Sequence, residues 1–441
     1  MIPAATTPRA AGAPGALGIL AGGSGVPAEI AEAVMRRGRA VHIVALEGAA
    51  EKDVERFPHT WVNLGGIGAM LRAFKTNGCS EIVIVGRVKR PNLRTVRPDL
   101  GFWTSLPVLV RLLRGGDDAI LRIVLGFFER HGLKVIGAHE AAPELIAPTG
   151  VLGLHRPSPD AMQSIGCCAE ALAALGPFDA AQAAVAVGRQ LLAIEGADGT
   201  DAMLRRLAER RMPDGGVLVK LPKAGQEQRM DMPAIGPETM LRAEDARLSG
   251  IAVLAGLTLF AERLRAMELA DEAGLFVAGI PADDPAVQTT LHPGEGGSDV
   301  IDALRPLAHQ KPTTAQLEDA RLGARVLASL EPLWPVASTI VSRGYVLATE
   351  APGYATAAAQ RAGRLKPWGT RLLRRQSGVL VMTDLMAEIG FDPGEIARQA
   401  KASSLAGIVI LRSPRDEAAL ASLRVEADVN KLFLLAPGDA R

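Results

Sequence analysis

Cysteine is scarce in this chain, neither sign of charge dominates, and no long apolar run is present. Cys79, Cys167 and Cys168 are the three cysteines among 441 residues. None has CxxC-type spacing, which excludes a zinc ribbon, and so small an odd number fits a reducing compartment better than a disulfide scaffold. Their ordinary role is that of small buried hydrophobes. Forty-nine Lys and Arg stand against 48 Asp and Glu, a formal charge of +1. No global field therefore draws the chain to nucleic acid or to an anionic membrane, and an anionic ligand must be gripped locally. The best apolar stretch is interrupted by Gly250, Gly256 and Glu262, short of the roughly 18 residues that span a bilayer. The opening MIPAATTPRAAGAPG lacks the apolar core of a secretory signal. These absences predict a soluble cytoplasmic protein whose residues 1–14 form a loose tail.

The length implies two or three domains. Across residues 15–148, LGIL, AVHIVAL, EIVIVG and LKVIG read as strands, and AEIAEAVMRRG, IGAMLRAFKTNG and AILRIVLGFFERHG as the helices between them. That alternation predicts an open parallel α/β sheet, a Rossmann-like domain. Its first turn, AGGSGVPAE, carries Gly22, Gly23 and Gly25 before Pro27. Such a turn either holds a phosphate on helix-end amides or simply makes a tight corner, and GGxG is not the GxGxxG of a dinucleotide site. After EIVIVG comes GRVKRPNLRTVRPD, in which Arg87, Lys89, Arg90, Arg94 and Arg97 crowd a loop at the predicted carboxyl edge of the sheet. This loop either grips a pyrophosphate or is a solvated basic segment.

A turn-rich stretch from Pro148 to Pro159 opens a second α/β domain over residues 149–280. QAAVAVG, QLLAIEG, GVLVKL, SGIAVLAG and AGLFVAG read as strands, and GTDAMLRRLAERR as a helix capped by Thr200 or Asp201. LVKLPKAGQEQRMDMPAIGPET delivers Lys220, Lys223, Gln226, Arg229 and Asp231 just past a buried strand. Glu195, Thr200 and Asp201 also follow a strand end, so parallel strands would bring them near Asp231. Beyond a Pro-, Asp- and Gly-rich linker over residues 281–311, the chain repeats its second domain over residues 312–441. GVLV at Gly216 returns at Gly378, LSGIAVL at Leu248 returns as LAGIVIL at Leu405, and QLLAIEG at Gln190 is matched by YVLATEA at Tyr345. The second copy keeps the apolar framework and loses the polar heads. Ala355 and Thr356 stand where the first copy has Thr200 and Asp201, and MTDLMAEIGFDPGE replaces the lysine- and arginine-bearing loop.

GILAGGSGVPAEIAEAVMRRG, GRVKRPNLRTVRPD, RGGDDAILRIV, GAHE, EGADGTDAMLRR, GVLVKLPKAGQEQRMDMPAIGPETM and GIAVLAGLTLF follow one another in this order. Together, over about Leu17 to Gly279, they resemble the LpxI-type UDP-2,3-diacylglucosamine pyrophosphatases of lipid A synthesis. The resemblance implies two domains, and water attack on the α-phosphorus of UDP-2,3-diacylglucosamine with Mg²⁺ or another divalent ion. The products it implies are UMP and 2,3-diacylglucosamine 1-phosphate. It places Asp231 at the aspartate of the family's RxDxP stretch, as catalytic residue and candidate metal ligand. Gln226 and Arg229 match the same motif, while Glu195, Thr200 and Asp201 match its EGTD-like stretch, with Glu195 a weaker metal candidate. Beside such a substrate, Gly22, Gly23, Gly25, Lys89, Arg90, Arg97, Lys220 and Lys223 become candidate contacts. A diacylated substrate also implies transient contact with the inner surface of the inner membrane, and no nucleic acid partner. The competing reading is a non-catalytic nucleotide-sugar or lipid-precursor sensor. An NAD-dependent oxidoreductase fits less well, since GxGxxG is missing.

Overall fold

The computed structural model describes residues 15–87, 97–104, 117–210, 212–223, 227–284, 287, 301–334, 337–351, 353–365, 376–384, 392–412 and 416–437. The chain divides into two compact units. One comprises Met1–Ile146 with Glu227–Met232 and Leu259–Glu262; the other comprises Ala147–Gln226, Pro233–Thr258 and Arg263–Arg441.

The first unit is built on strands β1 (Ala16–Ala21), β2 (Val41–Leu46), β3 (His59–Val62), β4 (Cys79–Val85) and β5 (Lys134–Val135). They lie in the order β3-β2-β1-β4-β5, and every pairing is parallel. All six residues of β2 are buried, as expected of a strand covered on both faces. Helices α1 (Val26–Arg36), α2 (Ile67–Thr76) and α3 (Asp117–Arg130) join them. Helix α1 starts with Pro27 in its first turn and buries Val26, Ile30 and Val34, one face at a spacing of four. Each such side chain contributes about 1.5–3 kcal/mol of burial. β3 was not among the strands expected from the sequence. His59, Thr60 and Trp61 are only half-buried, so this edge strand has no continuous apolar run to announce it.

In the second unit, β6 (Gly150–Val151), β7 (Ala183–Val187), β8 (Gln190–Ile194), β9 (Val217–Lys220), β10 (Gly250–Leu254) and β11 (Phe276–Ile280) form one sheet, in the order β6-β11-β10-β9-β7-β8. The last three of these in sequence, β9 to β11, run parallel, whereas β7 is antiparallel to both β8 and β9. Only Gly188 and Arg189 separate β7 from β8, and so short a link allows a hairpin but no crossover. The carboxyl ends of β8 and β9 still reach the same edge, because two reversals restore the direction.

The sequence repeat has its own sheet in the same unit. It contains β12 (Leu304–Pro306), β13 (Ser338–Ser342), β14 (Tyr345–Glu350), β15 (Val379–Met382), β16 (Gly407–Ile410) and β17 (Phe433–Pro437), in the order β12-β17-β16-β15-β13-β14. Order and strand directions copy those of the preceding sheet. Its edge strand β12 lies inside the stretch read from sequence as linker. Three residues, two of them Arg and Pro, are too few to show a strand pattern.

Helices α4 (Pro159–Leu175), α5 (Thr200–Glu209), α6 (Pro237–Asp245) and α7 (Arg263–Glu272) belong to the first copy, and α8 (Thr314–Leu330), α9 (Ala355–Leu365), α10 (Pro393–Ala402) and α11 (Glu417–Val429) to the second. One interval along the chain separates Pro159 from Thr314, Ala183 from Ser338 and Thr200 from Ala355, so this part of the repeat contains no insertion. The equivalent helices α4 and α8 pack on each other. Leu172 and Leu175 share one buried cluster with Ala324 and Leu327. A self-complementary face of this kind is what two identical subunits present to each other.

Candidate active site

The β1–α1 turn sits where the strand order of the first sheet reverses, the usual ligand position of open α/β sheets. Here, however, it is closed by backbone. Gly22 N–H donates to the Val85 carbonyl and Gly23 N–H to the Arg87 carbonyl, each at 2.8 Å, and Arg87 N–H returns a bond to Gly23 at 2.9 Å. A Cβ on Gly22 would stand 2.6 Å from the Gly86 carbonyl oxygen. Close approach of two chains therefore explains Gly22, and the amides of Gly22 and Gly23 are already committed. A phosphate would also meet negative charge here. A Cβ on Gly25 would come within 3.8 Å of Glu262 Oε1 and 4.0 Å of Asp53 Oδ2, and Glu262 N–H donates to Glu29 Oε2 at 2.9 Å. Burial raises the Glu29 carboxyl above its ordinary range, and the charges of Glu262, Glu32 and Asp53 add to this against the pull of the Glu262 amide. Close backbone packing is the task the structure shows for Gly22 and Gly23.

Of the basic loop, Lys89 and Arg90 lie outside the described residues. Arg97 is exposed, and its backbone N–H donates to Asn63 Oδ1 at 2.8 Å. Two residues on, Asp99 accepts from the amides of Gly68, Ala69 and Phe102 at 2.9–3.2 Å. Burial pushes its carboxyl up, but these donors outweigh it and hold Asp99 below the usual range.

Asp231 belongs to the first unit through the segment Glu227–Met232. Met230 packs against one buried cluster of that unit and Met232 against another, which includes Leu17 and Ile19. The half-buried Asp231 is held between two apolar anchors, its N–H bonded to the Glu227 carbonyl at 3.0 Å. Arg229 in the same segment is clamped by carboxylates. Its Nε and Nη2 fork onto Glu227 at 2.8 and 2.9 Å, and Nη1 reaches Glu129 Oε1 at 3.2 Å. The bonds to Glu227 raise the Arg229 pKa, and the same pairing holds Glu227 below its usual range. Sequence reading passed over Glu227, whose position two residues before Arg229 is its only signal. Gln226 lies outside the described residues.

In the second unit, four candidates gather at the carboxyl edge of the first-copy sheet. Lys220 ends β9 opposite Ala183 of β7, and Glu195 N–H bonds to the Ala183 carbonyl from the other side at 2.9 Å. The Lys220 side chain is buried, and Nζ donates to the Ala234 carbonyl at 3.1 Å. Glu195, only 7% exposed, accepts Thr200 Oγ1 at 2.7 Å on one oxygen and Gln182 N–H at 3.1 Å on the other. One oxygen therefore serves the turn and the other the residue that precedes β7. Thr200 and Asp201 do not cap α5: the cap is Gly199 at φ +85°, a conformation that favours glycine. Thr200 spends its hydroxyl on Glu195, and the half-buried Asp201 lies in the first helical turn, where the helix dipole favours a negative charge. Lys223 is tied to Asp179 through Oδ1 at 2.8 Å and the carbonyl at 3.1 Å.

Residues 16–145 match the family model "LpxI N-terminal domain" and residues 148–278 match "LpxI C-terminal domain". The chain is also 39% identical to the UDP-2,3-diacylglucosamine pyrophosphatase LpxI of Caulobacter vibrioides over 280 residues, which is 61% of this chain and 99% of that protein. The chain belongs to the LpxI family. Both LpxI domain matches end before residue 279, so the repeat is an addition to the matched LpxI region. Among the described residues no group of three or more His, Cys, Asp or Glu is arranged to hold a metal ion. No described helix is long and apolar enough to cross a membrane.

Proposed function

We propose that the chain hydrolyses UDP-2,3-diacylglucosamine to UMP and 2,3-diacylglucosamine 1-phosphate in lipid A synthesis, with water attacking the α-phosphorus. The observation that carries this reading is the match to 99% of the Caulobacter pyrophosphatase at 39% identity, with the RMDMP stretch anchored on both sides of Asp231.

Phosphoanhydride hydrolysis needs the nonbridging oxygens neutralised, the water oriented and the leaving phosphate stabilised. Asp231 is the residue that orients the water or receives its proton. Lys220, Lys223 and Arg229 supply positive charge, and Thr200 and Asp201 contact substrate. Clamping by Glu227 and Glu129 pre-sets the Arg229 guanidinium, so less side-chain entropy is lost when it meets a phosphate. A Mg²⁺ ion, when bound, would neutralise the diphosphate. Asp231 is the carboxylate that would hold it, since Mg²⁺ is commonly bound through one or two carboxylates together with substrate phosphates. Glu195 fits less well, with both oxygens engaged. The acyl chains bring the enzyme to the cytoplasmic face of the inner membrane. A non-catalytic sensor is not favoured by membership of this family.

Purified chain incubated with UDP-2,3-diacylglucosamine and Mg²⁺ should release UMP and a diacylglucosamine phosphate, identified by mass. Tight binding of the intact substrate with no products would reject the reading.

A further inference from the structure

The turn from β8 to α5, which carries Glu195, Thr200 and Asp201, is gripped by the repeat. Ala197 N–H donates to the Leu347 carbonyl at 2.9 Å. The Asp198 carboxylate takes Arg361 Nη1 at 3.1 Å and also binds Arg206. Both guanidinium groups reach Glu350 as well, and Glu350 binds Arg210 Nη1 at 2.7 Å. The side chains of this network are shielded, from 5% exposure at Glu350 to 18% at Asp198.

Arg206 and Arg361 occupy equivalent places in α5 and α9, each six residues after the first residue of its helix. The two arginines meet across the junction of the copies, and two carboxylates compensate them. Glu350 is likewise the equivalent of Glu195. With Ala355 in place of Thr200, Glu350 has no hydroxyl to accept from and turns to arginines instead. Asp198 has no such counterpart, since Gly353 stands at its place. At this position the first copy alone offers a carboxylate, and Arg361 of the other copy holds it.

We propose that Arg361 is a positioning residue for the hydrolytic site. Through Asp198 it fixes the turn that presents Thr200 and Asp201, so the repeat acts as a built-in second subunit for the copy that kept its polar groups. The proposal rests on the reading that Thr200 and Asp201 contact substrate.

The test compares full-length Arg361→Ala, Arg361→Lys, Asp198→Asn and Arg210→Ala in steady-state hydrolysis of UDP-2,3-diacylglucosamine, with the melting temperature of each. Arg361→Ala and Asp198→Asn should raise KM about tenfold while kcat stays within about threefold, and Arg361→Lys should recover most of the loss. Arg210→Ala loses its contact with Glu350 but touches nothing on Asp198, so it should lower the melting temperature and leave KM alone. Should Arg361→Ala fail to fold, Asp198→Asn carries the same expectation. An unchanged KM in Asp198→Asn, or an equal rise in Arg210→Ala, overturns the proposal. Asp201→Ala separates the two readings. If it raises KM and the Arg361 and Asp198 variants do not, positioning alone fails; if it leaves KM unchanged, the turn has no substrate role and the proposal falls with it.

Discussion

Thr200 Oγ1 donates to Glu195 Oε1 across 2.7 Å, and both groups are buried. This bond closes the β8–α5 turn from within, and it assigns Glu195 a structural task. Thr200→Val should leave a buried carboxylate oxygen unpaired and cost about 1–3 kcal/mol of stability. Glu195→Gln keeps an acceptor for the Gln182 amide and an amide group beside Thr200. Its dependence on Mg²⁺ concentration should therefore match that of the unaltered chain; a shift of tenfold or more in the Mg²⁺ requirement would make Glu195 a metal ligand after all.

Trp334 Nε1, from the repeat, donates to the Leu191 carbonyl of β8 at 2.8 Å in a buried setting. Trp334→Phe preserves most of the apolar bulk and removes the donor. Denaturant unfolding should show a loss of about 1–3 kcal/mol, with kcat unchanged. A variant as stable as the parent would mean that the two copies gain little from this contact.

Glu29 yields a pH prediction of fixed sign. Its folded-state pKa is raised, chiefly by burial, so the folded chain holds the proton more tightly than the unfolded chain. Stability contributed by this group falls as pH rises from the ordinary glutamate value through the raised one. Glu29→Gln keeps an oxygen for the Glu262 amide and removes the charge. It should raise the melting temperature at neutral pH, and the gain should fade below about pH 4. A gain that persists undiminished at low pH would assign the effect to something other than this titration.

The three thiols are buried. Burial pushes Cys79 up to about 11 against the opposing charge of Arg39, and Cys167 and Cys168 are raised by burial as well. At pH 8 an aromatic disulfide reagent should label native protein slowly and denatured protein at all three sites. Rapid labelling of native protein at Cys167 or Cys168 would show that the α4 face opens.

Much of this was legible in the sequence because apolar runs announce buried strands. VLV at Val217 and Val379, and GIAVL at Gly250 and GIVI at Gly407, are such runs, and each is a fully buried strand. What escaped was short or half-exposed. β3 is edge strand, β12 is three residues long, and the direction of β7 follows from a two-residue link rather than from its composition. At the site, residue type identified the charged heads but not their partners. That Arg229 is forked by Glu227, that Lys223 is tied to Asp179 and that Glu195 faces Thr200 are tertiary facts. The glycine-rich turn shows the opposite limit, since close packing and phosphate binding call for the same residues.

Asp231 lies between Met230 and Met232, both packed into the first unit, so removing its carboxylate should leave the fold intact. Asp231→Ala should lower kcat by about 10²–10⁴ with little change in melting temperature. Asp231→Asn separates charge from shape: partial rescue at high Mg²⁺ indicates metal binding, and none indicates a proton acceptor. Near-normal turnover in either variant would remove Asp231 from the chemistry.

The most direct measurement is hydrolysis of UDP-2,3-diacylglucosamine by the full-length chain in ¹⁸O-labelled water, with the mass of each product recorded. Water attack on the α-phosphorus puts the label into UMP and leaves the diacylglucosamine phosphate unlabelled. Label in the lipid phosphate, or no label in either product, would contradict the account.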